Sequence, residues 1–386
     1  MLSSGLSPIP GRPCRQQPQG AARQRCRRTK AAALQEHWLA RLTLAAPAEL
    51  GRLELVQLWL GVFAVSWRQL PEPAHLQAQV SAIERHLDGH YVDLLTAMVL
   101  NPAVQVSLNG PANQRRRPNE NLARELLELF SLGQGSFSEA DVRDAARALT
   151  GFVVDRRNAL VFRPRRHDPR AKTILGRRER FGARSLVRWL CDQPATARTI
   201  AGRVWRQVLG GPPPAGALQE LASAWQATGL SLPWLMRTLQ ARPEAALARR
   251  HGLKLLDPIP VVIRSLRLLR PAHREVYPLM VRQLRLMGQA PFEPPSVEGW
   301  PENGDWLEVR ALQARRRGLA ALLAHEEIWE SSAPPPVLQP ELTPIPPLGL
   351  RLPVRTSRET LAQLFSDPVW QFAGPLPALA QEEAPA

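Results

Sequence analysis

Between residues 118 and 133 the apolar positions recur at the spacing of one helix face. Leu122, Leu126, Leu129 and Phe130, widened by Ala123 and Leu127, form a broad arc, while Asn121, Arg124, Glu125 and Glu128 share the opposite stripe. Gly133 supplies the stop, since only glycine takes the left-handed conformation there at no steric cost. Ser138 and Asp141 then form a capping box, with Asp in place of the usual Glu or Gln, ahead of Val142, Ala145, Ala146 and Leu149 at i, i+3, i+4 and i+7. A helical hairpin with a short connection is the expectation. After Gly151 the period changes from helix to strand. Phe152–Val154 and Ala159–Phe162 are β-rich runs on either side of Asp155–Asn158, which predicts a small β-hairpin.

Elsewhere the pattern is almost wholly helical. Upstream it predicts helices at about 32–43, 48–68 and 74–100, with Pro71 and Pro73 breaking between the last two. Downstream they are expected at about 182–192, 194–209, 215–228, 231–241, 244–255, 258–269, 272–288 and 305–329, with Trp189, Trp205, Trp225 and Trp234 on core-facing sides. Phe292–Pro301, with three prolines and a glycine, must run extended, with Trp300 docked as an anchor. The fold class is therefore all-α: one multi-helix domain with a small β-hairpin insertion near 152–162. Residues 1–30 are expected as a disordered basic tail, 31–330 as the helical domain, 331–355 as a stiff proline-rich linker, and 356–386 as a short helix, docked or free, and tail.

Composition changes this picture little. A hydrophobic content of 44% in 386 residues is ample for a packed core. The formal charge of +16 rests on arginine, because only Lys30, Lys172 and Lys254 are lysines among 50 basic residues. Arginine is densest before Lys30 and between Arg156 and Arg188; charge alone allows phosphate or anionic lipid there, although a charge run is more often a solvated face. Cys14, Cys26 and Cys191 are odd in number and show no metal-ligand spacing, so neither a zinc site nor a disulfide framework is expected. Met1–Pro10 lacks a basic segment leading into an apolar core, which reads as cytoplasmic. The longest strongly apolar run, Leu58–Val65, is far below the roughly 18 residues of a membrane span, so no transmembrane segment is expected.

Five stretches carry a resemblance. Asn119–Leu129, Ala146–Phe152, His167-Asp168, Lys172–Gly176 and Pro294–Pro301 occur in the order and form that make this chain similar to the bacterial domain-of-unknown-function family 1800. The resemblance runs from about Trp38 to about Ala324, and more weakly to Gln371. It implies a mostly helical protein with no settled activity, and relatives that are often exported. Most relatives carry a His-Asn-His segment where this chain has Leu60-Gly61-Val62. Paired imidazoles can ligate a metal or move protons, and aliphatic side chains can do neither.

The candidate chemistry gathers at Arg124, Glu125 and Glu128 with His167, Asp168 and Lys172. Two carboxylates at i, i+3 and a His-Asp from a facing loop are suitable material for a divalent ion or for general acid–base work. Arg124 and Glu128 also suit an i, i+4 ion pair, and the same residues, with Asn121, make a polar network that simply fixes the loop. His86 and His90 fall at i, i+4 on one predicted helix, but without the glutamate of a zincin motif. No P-loop and no Gly-x-Ser-x-Gly elbow occurs. No cofactor is implied. Three readings result: a non-enzymatic scaffold with a protein partner; an enzyme centred on Glu125, Glu128, His167 and Asp168; and a binder of nucleic acid or anionic surfaces through Arg156–Arg188. The first is the reading adopted.

Overall fold

Helix α2 (Pro47–Val62) is largely buried from Gly51 onward, with its polar residues Arg52, Glu54 and Gln57 only partly exposed. Leu53, Val56, Trp59, Leu60, Val62 and Phe63 are all buried. The computed structural model describes residues 12–155, 157–214, 216–245, 254–269, 274–329 and 358–373. The linker expected at 331–355 and most of the helix expected at 244–255 lie outside them. Among the described residues no helix is long and apolar enough to cross a membrane.

In front of α2 lies α1 (Ala21–Leu44), which overturns the disordered tail expected up to residue 30. The composition of the basic run suggests a tail, yet Ala, Gln and Arg are good helix formers, and the helix starts directly after Gly20. A turn at Cys14–Gln16 folds back onto it, and Cys14 forms a disulfide with Cys26, with 5.5 Å between Cα atoms. No disulfide was expected from the sequence; spacing of twelve residues gave no hint that a turn would bring the two together. The buried Glu72 closes the junction, accepting from the Cys14 N–H at 2.6 Å and from Lys30 Nζ at 3.2 Å. Reduction, or replacement of both cysteines by serine, is expected to lower stability by about 2–3 kcal/mol for a loop of this size. Equal melting curves with and without reductant would contradict this.

The helix expected at 74–100 is two helices, α3 (His75–His86) and α4 (Tyr91–Val99), parted at Gly89. His86 and His90 therefore do not share a helix face: His90 precedes α4, and its Nδ1 lies 2.9 Å from the Gly229 carbonyl. Short helix α5 (Pro102–Ser107) leads to the expected hairpin of α6 (Asn121–Glu128) and α7 (Glu139–Ala148). Gly133 has φ +82°, and the Ser138/Asp141 capping box is formed, as the spacing predicts.

Strands β1 (Phe152–Val154) and β2 (Leu160–Phe162) pair antiparallel with Phe152 opposite Phe162. A second small ribbon was not foreseen: β3 (Lys172–Ile174) pairs with β4 (Arg177–Glu179). Its two turn residues, Leu175 and Gly176, both have positive φ, the geometry of a tight hairpin turn. Helices α8 (Ala183–Cys191), α9 (Pro194–Leu209), α10 (Ala217–Ala227) and α11 (Leu232–Ala241) follow close to their expected bounds. Trp205 and Trp225 are fully buried, while Trp189 and Trp234 pack against the core from its margin. Next come β5 (Lys254–Leu255), α12 (Pro258–Leu269), α13 (Val276–Leu286) and α14 (Val309–Leu323).

The C-terminal helix α15 (Arg358–Ser366) docks back, burying Leu361, Leu364 and Phe365. Trp370 fixes it, its indole N–H donating to Ser265 Oγ at 3.0 Å, and β6 (Phe372–Ala373) pairs with β5.

Candidate functional site

Helix α7 carries Asp141, Asp144 and Arg147 at i, i+3 and i+6, and this polar flank holds the His-Asp loop. Strand β3 turns its free edge toward the helix. Asp144 accepts from the Thr173 N–H at 2.6 Å, and Asp141 accepts from the Leu175 N–H at 2.7 Å. Two aspartates thus satisfy an edge that would otherwise need another strand.

Asp168 lies at the centre, with 0% of its surface exposed. One carboxylate oxygen accepts from the backbone N–H and Nε of Arg170 at 3.0 and 3.1 Å. The other accepts from Arg147 Nε and Arg170 Nη2, each at 2.9 Å. The Arg170 bonds, with those of Arg147, hold this carboxyl far below the usual carboxylate range. Arg147 in turn donates to Asp144 at 2.7 Å and to the Ala171 carbonyl at 3.2 Å. Lys172 is buried beneath, its ammonium donating to the carbonyls of Asp168 at 2.6 Å and Phe181 at 2.7 Å, and burial lowers its pKa.

His167 and Asp168 do not work as a pair. The His167 ring places Nδ1 3.0 Å from the Thr150 carbonyl and stacks at a tilt on Phe162, with centroids 5.4 Å apart. Thr150 accepts from the Asp168 N–H through its hydroxyl at 2.9 Å. The carboxylate that would orient the imidazole is committed to arginines instead.

The stripe on α6 serves another junction. Arg124 makes two bonds to Glu139, at 2.8 and 2.7 Å, and an ion pair with Glu120 at 3.5 Å. Its expected i, i+4 partner, Glu128, accepts from Gln134 instead. Glu125 is half-buried; desolvation raises its pKa, and the charges of Glu128 and Glu298 add to that. Glu125 therefore lies near Glu298 of Pro294–Pro301, a segment expected to run extended that instead folds into a turn closed by the Gly299 N–H on the Ser296 carbonyl at 3.3 Å. Asn121 stands apart, its N–H capped by Asn119 Oδ1 at 3.1 Å.

Behind these acids Arg203 of α9 ties three backbones together. It donates to the carbonyls of Leu129 at 3.4 Å, Gly61 at 3.2 Å and Glu298 at 2.5 Å. Gly299 lies so close to α2 that a Cβ there would stand 2.5 Å from the Gly61 carbonyl oxygen, and its φ of +105° also requires glycine. Trp300 is half-buried beside this contact.

The residues expected to form one centre thus divide between two. His167, Asp168 and Lys172 are joined by Arg147, Asp144, Thr150 and Arg170. Arg124, Glu125 and Glu128 sit on the other junction, and among the described residues no hydrogen bond or ion pair joins the two sets. Arg147 and Thr150 lie inside the Ala146–Phe152 stretch, and the i, i+3, i+6 spacing of Asp141, Asp144 and Arg147 is the signal that marks the arginine. Nothing in the local sequence marks Arg203. Among the described residues no three His, Cys, Asp or Glu side chains gather as ligands for a metal ion.

What the fold and this geometry define is a mostly helical protein whose polar motifs bond to one another and to the backbone inside the fold. Residues 9–375 match the family model described as "Protein of unknown function (DUF1800)", and the chain belongs to that family. No curated protein and no solved structure matches it.

Proposed function

We propose that the chain works as a non-enzymatic scaffold, in which the Asp168 centre is a latch that fixes the β1–β2 ribbon and the loop after it for use as a binding face. The observation that carries this reading is the saturation of Asp168: both oxygens are taken by arginine donors, which leaves no lone pair aimed at a substrate. A buried carboxylate kept ionised by two guanidinium groups is a poor proton acceptor.

The competing reading, an enzyme centred on Glu125, Glu128, His167 and Asp168, needs those groups to converge on one reacting atom. Their bonds lead in different directions instead. Metal analysis of the purified protein separates the two, with Glu125→Ala and His167→Ala as controls. The scaffold reading expects no stoichiometric divalent ion and no change in either variant. One metal per chain, lost in either variant, would overturn it.

A further inference from the structure

Five exposed arginines stand on two turns that backbone bonds stitch together. Arg115, Arg116 and Arg117 occupy a tight turn closed by the Arg117 N–H on the Gln114 carbonyl at 2.9 Å. The Arg115 N–H donates to the Arg166 carbonyl at 2.8 Å, stitching that turn to the 3-10 turn at Pro164–Arg166, whose own bond runs from the Arg166 N–H to the Arg163 carbonyl at 2.9 Å. A second seam runs through Gly151, which donates to the Asn113 carbonyl at 3.4 Å and accepts from the Arg163 N–H at 2.7 Å. Arg115, Arg116, Arg117, Arg163 and Arg165 are exposed, and none has an acidic partner among the described residues. The neighbouring acids are spent: Asp155 accepts from the N–H groups of its own turn, and Asp168 from Arg147 and Arg170. Beside Arg163 stands Phe162, 44% exposed, with its ring held by Phe152 and His167.

We propose that this face docks the protein on the phosphate headgroups of an anionic phospholipid surface. It rests on the scaffold reading, because the Asp168 latch fixes the loop that carries Arg163 and Arg165. Unpaired guanidinium groups on a fixed surface attract phosphate, and one apolar ring among them suits the boundary between headgroup and acyl chain. Two observations favour lipid over nucleic acid. Single strands are held by several aromatic rings in succession, and this face offers one exposed ring. The Cys14–Cys26 disulfide marks an oxidising compartment, where phospholipid is abundant and nucleic acid is not. That disulfide belongs to the same side of the molecule, since Arg15 of its turn donates to the Asp155 carbonyl at 3.0 Å. The abundance of arginine over lysine carries no weight here, because the whole chain shares it.

The test is flotation of the full chain, purified with its disulfide intact, with vesicles containing phosphatidylglycerol and with vesicles of phosphatidylcholine alone. Flotation with the anionic vesicles only is expected, weakening at least about tenfold between low and physiological salt as the Debye length shrinks. The triple variant Arg115→Glu, Arg116→Glu, Arg163→Glu is expected to lose about a hundredfold in affinity. The matched triple Arg310→Glu, Arg316→Glu, Arg317→Glu, on exposed positions of α14, should bind as the wild type does. The proposal fails if both vesicle types bind alike, if wild-type binding ignores salt, or if the two triples weaken equally. Tighter binding of a single-stranded oligonucleotide than of anionic vesicles at the same salt would also overturn it. The salt comparison needs no variant, so misfolding cannot shelter the idea. Loss of flotation with an unchanged melting curve would leave the latch standing, because the latch is read by stability alone.

Discussion

Asp168→Asn is expected to destabilise the protein by about 3 kcal/mol at neutral pH, because it breaks a buried ion pair and leaves Arg147 facing an amide N–H instead of a carboxylate. The effect exceeds that of an ordinary surface ion pair because Asp168 is sealed from water, although Arg170 is itself largely exposed and part of its contribution is screened. The pH dependence follows from the direction of the shift. The folded carboxyl titrates well below its unfolded value of about 3.9, so its stabilisation is complete above that value and is lost as pH falls through the folded one. The gap between wild type and variant in urea unfolding should therefore be constant above about pH 5 and close as the medium is acidified below about pH 4. A gap that is small at neutral pH, or that widens in acid, would remove the latch from the account.

Restoring histidines at positions 60 and 62 is expected to cost roughly 4 kcal/mol, because each imidazole would enter the apolar core with ring nitrogens unpaired. Leu60 and Val62 are 4% and 0% exposed, at the last turn of α2. Zinc should not rescue the Leu60→His, Val62→His variant. Two positions apart on a helix the side chains diverge by roughly 200°, so the pair cannot close on one ion as a paired site would require. Burial would also hold both imidazoles neutral, with their pKa values below the usual 6.5, so the variant should weaken further as pH falls through that range. A melting temperature that zinc raises in the variant and not in the wild type would show that the two side chains do meet a common ligand.

Local periodicity carried most of the helical framework. The α6 arc, the Ser138 capping box and the Phe152–Phe162 ribbon are all formed as their spacing implies, since each depends on residues within one or two turns of one another. Breaks were harder to see: the continuous apolar pattern through 74–100 hid the separation at Gly89. The β3–β4 ribbon was hidden because its edge is satisfied by side chains of α7 rather than by a longer sheet. Long-range partners were the least legible. Spacing places the acidic stripe of α6 on one helix flank, yet a flank does not say what will oppose it, and Glu298 and Arg203 come from far along the chain. The Cys14–Cys26 bridge is illegible for the same reason, because the turn that brings the thiols together has no strong signature of its own.

The claim on which the account depends is that the polar motifs form two separate joints, and a double-mutant cycle between Glu125 and Asp168 tests it most directly. With Glu125→Ala, Asp168→Asn and their combination measured by urea unfolding, the effects are expected to add to within about 0.5 kcal/mol, as they do for groups that share no partner. A coupling of about 1 kcal/mol or more would mean that the acidic flank and the His-Asp loop act as one centre, and the division between latch and joint would be wrong.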